Sequence, residues 1–206
     1  NFQSFNNMIK QNLIENTVID NHAVRWLPNA QAMYKFNRNT RLNFSYRGST
    51  KQPTLEQIQP VRDNSNPIEL IKGNPDLIQS YTQDFRLNFN MWKALHDYSI
   101  YSWADFSNTY NDIVVNTTID ESKRSISTYE NVNGQYSGYL YAGSYFHITK
   151  ILSGSIGLGG NMYRNVSFVN GELVKVLNNS INPTFGLNVE IDENLNADID
   201  YDISFN

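Results

Sequence analysis

Few residues of this 206-residue chain have a type and spacing that could do chemistry. Histidines stand at positions 22, 96 and 147, far apart in sequence. His96 and His147 both fall near short turns at one end of the strand pattern described below. The carboxylates that would complete a shared metal site with them are not at ligand spacing. Asp198, Asp200 and Asp202 alternate along one stretch and share one strand face, where they could attract a cation such as calcium. The alternative is a solvated row, paired with Arg41 or Arg86 from other strands. The run GSIGLGG at 154–160 has the glycines of a nucleotide loop but neither the Lys-Ser/Thr pair nor the strand-to-helix setting. No serine sits in a nucleophile elbow, and the absence of cysteine removes Cys–His pairs, disulfides and thiolate metal sites. The sequence therefore assigns no catalytic, cofactor-binding or metal residue and reads as a non-enzyme.

The aspartate row belongs to the most regular stretch of the chain, residues 178–206. Ile181, Pro183, Phe185, Leu187, Val189 and Ile191 fall on one face; Asn182, Thr184, Gly186, Asn188 and Glu190 fall on the other. After a polar turn at Asp192-Glu193-Asn194 the alternation resumes, with Ala197, Ile199, Tyr201, Ile203 and Phe205 opposite the aspartates and Ser204. Period-two alternation of this kind is a β-hairpin with one oily and one polar face. Three unpaired carboxylates are too costly to desolvate in a dry core, so the polar face meets water, outside the protein or inside a pore.

Net charge is −4 with a pI near 5.3, and no Lys/Arg run is present, so nucleic acid is excluded as a partner on electrostatic grounds. No apolar run approaches the ~20 residues of a membrane-spanning helix. A mean hydropathy of −0.50 is compatible with a transmembrane barrel, whose alternating strands average out polar. Aromatic residues make up 13% of the chain, which a soluble β-sandwich could also show but which the interfacial girdles of such a barrel need.

Residues 1–22 form a preceding loop or a short amphipathic helix, since Phe2, Phe5, Ile9 and Leu13 stand near helical spacing. Residues 23–206 carry the strands. The first runs from about Ala30 to Phe36, turns at Asn37-Arg38-Asn39-Thr40 and returns through Leu42, Phe44 and Tyr46. A connection rich in Pro, Asn and Gln spans 47–79. Tyr81, Phe85, Leu87 and Phe89 then alternate with Asp84, Arg86, Asn88 and Asn90. After a link at 93–97, a strand covers 98–110 and continues through the β-branched run at 113–119. A polar connection at 120–127 leads into one very long strand over 127–147. Residues 152–162 alternate next, with Gly and Ser crowding the inner face of 153–159, and a loop near Asn170-Gly171-Glu172 leads to the final hairpin. Small residues there suit either a lumen filled by something bulky, such as a plug, or simple tolerance on a wet face, the reading preferred from sequence. The total is about eight long strands. Connections at 37–40, 93–97, 149–150 and 192–194 are tight; those at 47–79, 120–127 and 168–177 are longer. The pattern predicts an all-β fold: an antiparallel transmembrane β-barrel segment with short periplasmic turns and longer extracellular loops.

The long connection contains, in order, Ser49-Thr50 and Pro53, Gln57-Ile58-Gln59-Pro60-Val61, Asp63-Asn64-Ser65-Asn66-Pro67 and Gly73-Asn74-Pro75-Asp76-Leu77. Tyr129-Glu130-Asn131-Val132-Asn133-Gly134 and Arg164-Asn165-Val166-Ser167-Phe168-Val169-Asn170-Gly171 follow downstream. This ordered set resembles the outer-membrane β-barrel family of TonB-dependent-receptor-like proteins, over about residues 25–206. Ile78-Gln79-Ser80 depart from that pattern, where a proline is common. The resemblance implies a bacterial outer-membrane protein with a carboxypeptidase-regulatory-like domain and a plug upstream, and a barrel of about 22 strands. In a bacterial protein the glycosylation patterns at Asn116, Asn165 and Asn178 carry no meaning.

The start NFQSFNNMIK is not a secretory leader, and the chain ends within an alternating strand, so 1–206 is expected to be a single segment of a larger protein. The implied function is receptor and transporter: TonB-dependent-type uptake of an unknown bulky solute. Its partners would be outer-membrane lipid and a TonB-type energy-coupling protein acting through upstream regions. Two alternatives are a soluble or surface β-sandwich or barrel binding carbohydrate, with the oily face turned inward, and a structural outer-membrane barrel without transport.

Overall fold

The computed structural model describes residues 2–4, 24–59, 62–66, 68–93, 97–192 and 195–206. Strands β1 (Phe2–Ser4) and β2 (Val24–Trp26) pair antiparallel, so the start of the chain is extended where a short helix was one expectation; the rest of that helix lies outside the described residues. Strands β3 (Asn29–Asn37) and β4 (Thr40–Lys51) form the first long hairpin. A short helix α1 (Leu55–Ile58), β5 (Arg62–Asn66) and β6 (Glu69–Lys72) follow. Then come β7 (Ser80–Lys93) and β8 (Tyr98–Tyr110), the pair β9 (Asp112–Ile119) and β10 (Ser125–Val132), and β11 (Gln135–His147). Two very long strands, β12 (Leu152–Val169) and β13 (Glu172–Asp192), precede β14 (Leu195–Asp202).

Eight of these form one antiparallel sheet in the order β3-β4-β7-β8-β11-β12-β13-β14, an up-and-down meander with β3 and β14 at its edges. The sheet does not close on itself. The registers carry the alternation seen in sequence unbroken from strand to strand. One row reads Ala32, Phe44, Leu87, Ala104, Leu140, Gly160 and Ile181. The next row on the other face reads Gln31, Ser45, Arg86, Asp105, Tyr139, Asn161 and Ser180. A slip of one residue anywhere would send one strand's apolar set to the wrong face, so the rows fix each other. The apolar face is uncovered: Phe44 is 38% exposed, Leu140 57% and Ile199 68%.

The structure corrects three boundaries. The strand over 98–119 breaks at Asn111, whose φ of 52° turns the chain out of the large sheet. The strand over 127–147 breaks at Gly134, with φ of 97°. The two breaks release β9 and β10 into a separate sheet of order β5-β6-β10-β9, with β6 and β10 parallel. The connection expected at 168–177 is the two-residue turn Asn170-Gly171, both at positive φ as a tight hairpin requires, so the strands run on to its tip. There a Cβ on Gly171 would stand 3.1 Å from Thr118 Cγ2, which sets the tip against β9.

The enclosed apolar side chains Leu70, Leu77, Val132 and Val166 gather at this loop end. The large sheet thus presents two open faces, while its loop end folds into a small domain-like core. Leu77, 2% exposed, is central to it. Leu77→Ala is expected to cost about 2–5 kcal/mol, read as a lower denaturant midpoint for the loop end in detergent micelles.

Candidate functional site

The polar face is the candidate site. Backbone register places Arg47 opposite Asp84 and Arg86 opposite Asp105. Arg86 Nε donates to Asp105 Oδ1 at 2.5 Å, an exposed pair that adds little stability but neutralises the arginine. These four side chains, with Gln31 and Tyr139, line a depression of about 620 Å³.

Next to it stand four aromatic rings in nearly parallel planes. Trp103 and Tyr141, paired across β8 and β11, have centroids 4.6 Å apart at 20°. Tyr101 lies 6.0 Å from Tyr141 at 17°, and Tyr139 lies 6.3 Å from Trp103 at 25°. The small residues across the sheet exist because of these rings. A Cβ on Gly143 would meet the Tyr101 ring at 3.0 Å, and one on Gly159 would meet Tyr141 Cδ2 at 3.3 Å. A Cβ on Gly157 would collide with the Tyr141 hydroxyl and with Thr184 Oγ1, 2.6 Å away. Tyrosines from the neighbouring strand lie over these glycines, a reason for small residues beyond the two read from sequence. Sequence reasoning missed this cluster. Its signal was present in the offset of SWADF against GYLYAG, but reading it needs the register of β8 against β11.

The remaining candidates are not brought together. Asp198 accepts from Asn188 Nδ2 at 2.5 Å, and Asp200 lies beside Gly186. The expected pairing of this row with Arg41 or Arg86 fails, because Arg86 is held by Asp105 and β14 is at the far edge of the sheet from β4. Among the described residues no group of three His, Asp or Glu side chains is placed to hold a metal ion. His147 sits at the short-turn end with Nδ1 3.4 Å from the Asp97 carbonyl; His22 and His96 lie outside the described residues. The glycine run 154–160 is the middle of β12.

At the loop end the sequence motifs bind one another. Thr54 caps α1, its hydroxyl accepting from Gln57 N while Gln57 Oε1 accepts from Thr54 N at 2.8 Å, a reciprocal capping box. Gly73 passes so close to Gln59 that a Cβ would stand 2.7 Å from its backbone nitrogen. Asn74 donates its backbone N–H to the Gln57 carbonyl at 2.6 Å and its side-chain amide to the Tyr129 carbonyl at 2.9 Å. Asn131 grips Ile78 on both sides: its Oδ1 accepts from Ile78 N and its Nδ2 donates to the Ile78 carbonyl, each at 2.9 Å, and Nδ2 also reaches the Asn111 carbonyl at 2.7 Å. Arg164 Nε donates to the Gly134 carbonyl at 2.6 Å while its guanidinium covers the Tyr136 ring. These polar side chains are thus engaged in holding the loop, whereas Gln79, buried at its end, has neither side-chain amide atom hydrogen-bonded.

A family model described as the outer membrane protein beta-barrel family matches residues 5–206. The chain belongs to this family. Membership places it in the bacterial outer membrane, with outer-membrane lipid around the barrel. No curated protein matches. Among solved structures, the siderophore receptor PirA from Pseudomonas aeruginosa is similar at 14% identity with a TM-score of 0.49, over 88% of this chain and 42% of that one. The siderophore receptor PirA from Acinetobacter baumannii is similar at 12% identity with a TM-score of 0.41, over 82% of this chain and 35% of that one. The chain therefore spans less than half the length of either receptor.

For this outer-membrane barrel segment, the loop network gives two expectations. Asn131→Ala strands the Ile78 and Asn111 backbone groups and should cost about 1–2 kcal/mol, seen as faster limited proteolysis within 68–79 in native membranes. In the β9–β10 turn, the Arg124 backbone N–H and then its guanidinium hold the Asp120 carboxyl below the ordinary carboxylate range. A depressed folded-state pKa means stability that is present above the unfolded pKa and lost as pH falls through the folded one. Hydrogen-exchange protection of the Arg124 amide should drop on acidification through that window, and Asp120→Asn should abolish the pH step.

Proposed function

We propose that the chain is part of the barrel wall of a non-enzymatic outer-membrane receptor that imports a bulky solute, driven through a TonB-type coupling protein. On this reading 1–206 is a single segment of a larger protein, and the plug, the carboxypeptidase-regulatory-like domain and the coupling segment belong to upstream regions. The observation that carries it is the two-faced sheet. An apolar face runs uncovered across eight strands, and the opposite face is polar, charged and hollowed. In hydrocarbon the backbone is satisfied by the strand ladders and the apolar face meets lipid, leaving the polar face to line a wide lumen. The short turns then face the periplasm, and the self-packed loop end lies outside the cell. Family membership takes the place of the soluble carbohydrate-binding sandwich, whose oily face would need a covering layer.

The test is single-cysteine labelling, which the cysteine-free chain permits without background. Cysteines at Phe44, Phe85, Leu87, Phe89 and Leu158, all on the apolar face, should react with a lipid-soluble maleimide in native membranes. Cysteines at Ser45, Asn88 and Ser155 should react with a water-soluble one. The inverse pattern would refute the lumen assignment.

A further inference from the structure

We infer that the depression at the short-turn end of the polar face, lined by Arg38, Arg41, Asn90, Trp92 and Tyr101, is a binding site for an organic oxyanion. Its ligand is a solute that bears a carboxylate or phosphate beside an apolar body. The inference rests on the proposed reading of the polar face as the wall of the lumen, and it names a solute class for that wall.

The case begins in the first hairpin. From Asn29 to Lys51 it carries Lys35, Arg38, Arg41, Arg47 and Lys51 and no carboxylate. Register places Lys35 directly opposite Arg41 on the polar face, with Arg38 in the turn that joins their strands. Like charges directly opposite across a ladder repel. On β7, Arg47 is met by Asp84, whereas Arg41 is met by Asn90. Among the described residues Lys35, Arg38 and Arg41 make no ion pair.

The neighbouring strands do not supply the missing charge. The one carboxylate of β8, Asp105, is held by Arg86, and Asp97 lies beside His147 at the next turn. The row through Lys35 and Arg41 continues as Asn90, Tyr101, Gly143, Gly157 and Thr184 before it reaches Asp202 on β14. Six strand spacings separate β4 from β14. At about 4.8 Å each, they put Asp202 well beyond the ~8 Å screening length at physiological salt.

The depression measures about 470 Å³ and has two kinds of wall. Arg38 and Arg41 bring guanidinium forks, whose geometry matches the oxygens of a carboxylate or phosphate. Trp92 and Tyr101 bring aromatic rings for the apolar body, and Trp92 is 54% exposed. The turn that carries Arg38 is fixed in place. Asn39 N donates to Asn37 Oδ1 at 2.9 Å, and Trp92 N donates to the Asn39 carbonyl at 3.0 Å. A cleft lined by one sign of charge concentrates ligands of the other.

The experiment is fluorescence titration of the protein in neutral maltoside micelles with pyranine, an aromatic trisulfonate, and with pyrophosphate as competitor. Pyranine should bind saturably, quench tryptophan emission and be displaced by pyrophosphate. Arg41→Gln should weaken binding about tenfold, as expected for losing one charged hydrogen-bonding partner, and Arg38→Gln should do likewise. Arg41→Lys keeps the charge and should retain most of the affinity. Lys175→Gln removes an equal charge at the loop end and should leave affinity unchanged. Absence of saturable binding, or equal losses in Arg41→Gln and Lys175→Gln, overturns the proposal. Native mass spectrometry separates a lipid source: the parent and Arg41→Gln should retain phosphatidylglycerol equally. Retention that Arg41→Gln abolishes would assign the cations to a lipid headgroup and overturn the solute class. If Arg41→Cys is labelled by a water-soluble maleimide in native membranes while pyranine fails to bind, the solute class is wrong and the receptor reading survives. If that cysteine is shielded from water, the lumen reading falls and this inference falls with it.

Discussion

Everything in this structure depends on one constraint: in hydrocarbon a backbone N–H or C=O has no partner except another strand. The eight-stranded ladder meets that constraint along its length, and the ladder's register then decides which side chains share a face. Leu140 and Tyr139 are adjacent in sequence, yet one belongs to a row of aliphatic side chains and the other to a row of amides, charges and rings. Nothing about either residue alone dictates this. The two edges, β3 and β14, are where the constraint is still open, and an edge left bare in lipid would carry a row of unpaired groups. That is the physical case for further strands around this sheet.

The polar face shows how such a ladder tolerates glycine. Gly143, Gly157 and Gly159 would weaken a strand in isolation, because each brings backbone freedom without packing. Here each hollow is filled by a tyrosine reaching across from its neighbour, so the glycines and rings of β8, β11 and β12 form one interlocked surface. The result is a row of stacked aromatic rings on a face that is otherwise polar.

The large architecture was legible in the sequence because its signals are local. Alternation through 30–46, 81–110, 127–147, 152–162 and 178–206 needs only period two to be read, and it gave about eight strands and their two faces. What was not legible depends on contacts between distant segments or on single backbone torsions. The break at Asn111 falls at an Asn111-Asp112 pair between two runs of strand formers, and it was read across because an asparagine at positive φ looks no different in sequence from one in a strand. Gly134 was visible but was absorbed into a long alternation. The Asn170-Gly171 turn was legible in principle, Asn-Gly being a strong hairpin signal, but it was read as a loop. Pairing Asp198, Asp200 and Asp202 with an arginine from another strand required the order of strands in space, which period two does not contain.

The distribution of burial separates two jobs that a single chain performs. The large sheet has almost no enclosed apolar core, because its apolar face is left open, whereas Leu70, Leu77, Val132 and Val166 are each buried at the loop end as in a water-soluble domain. The motifs that mark the family lie at this end: Asn74, Asn131 and Arg164 each spend their side chains on backbone carbonyls of a different segment. A loop so tied cannot be freely remodelled, so the residues that make the family recognisable are the ones that hold the mouth of the sheet in shape. The polar face below is under no such demand. Apart from the glycines under their tyrosines, its side chains are tied mainly between adjacent strands, as Arg86 is to Asp105, and can be exchanged without changing how the sheet folds.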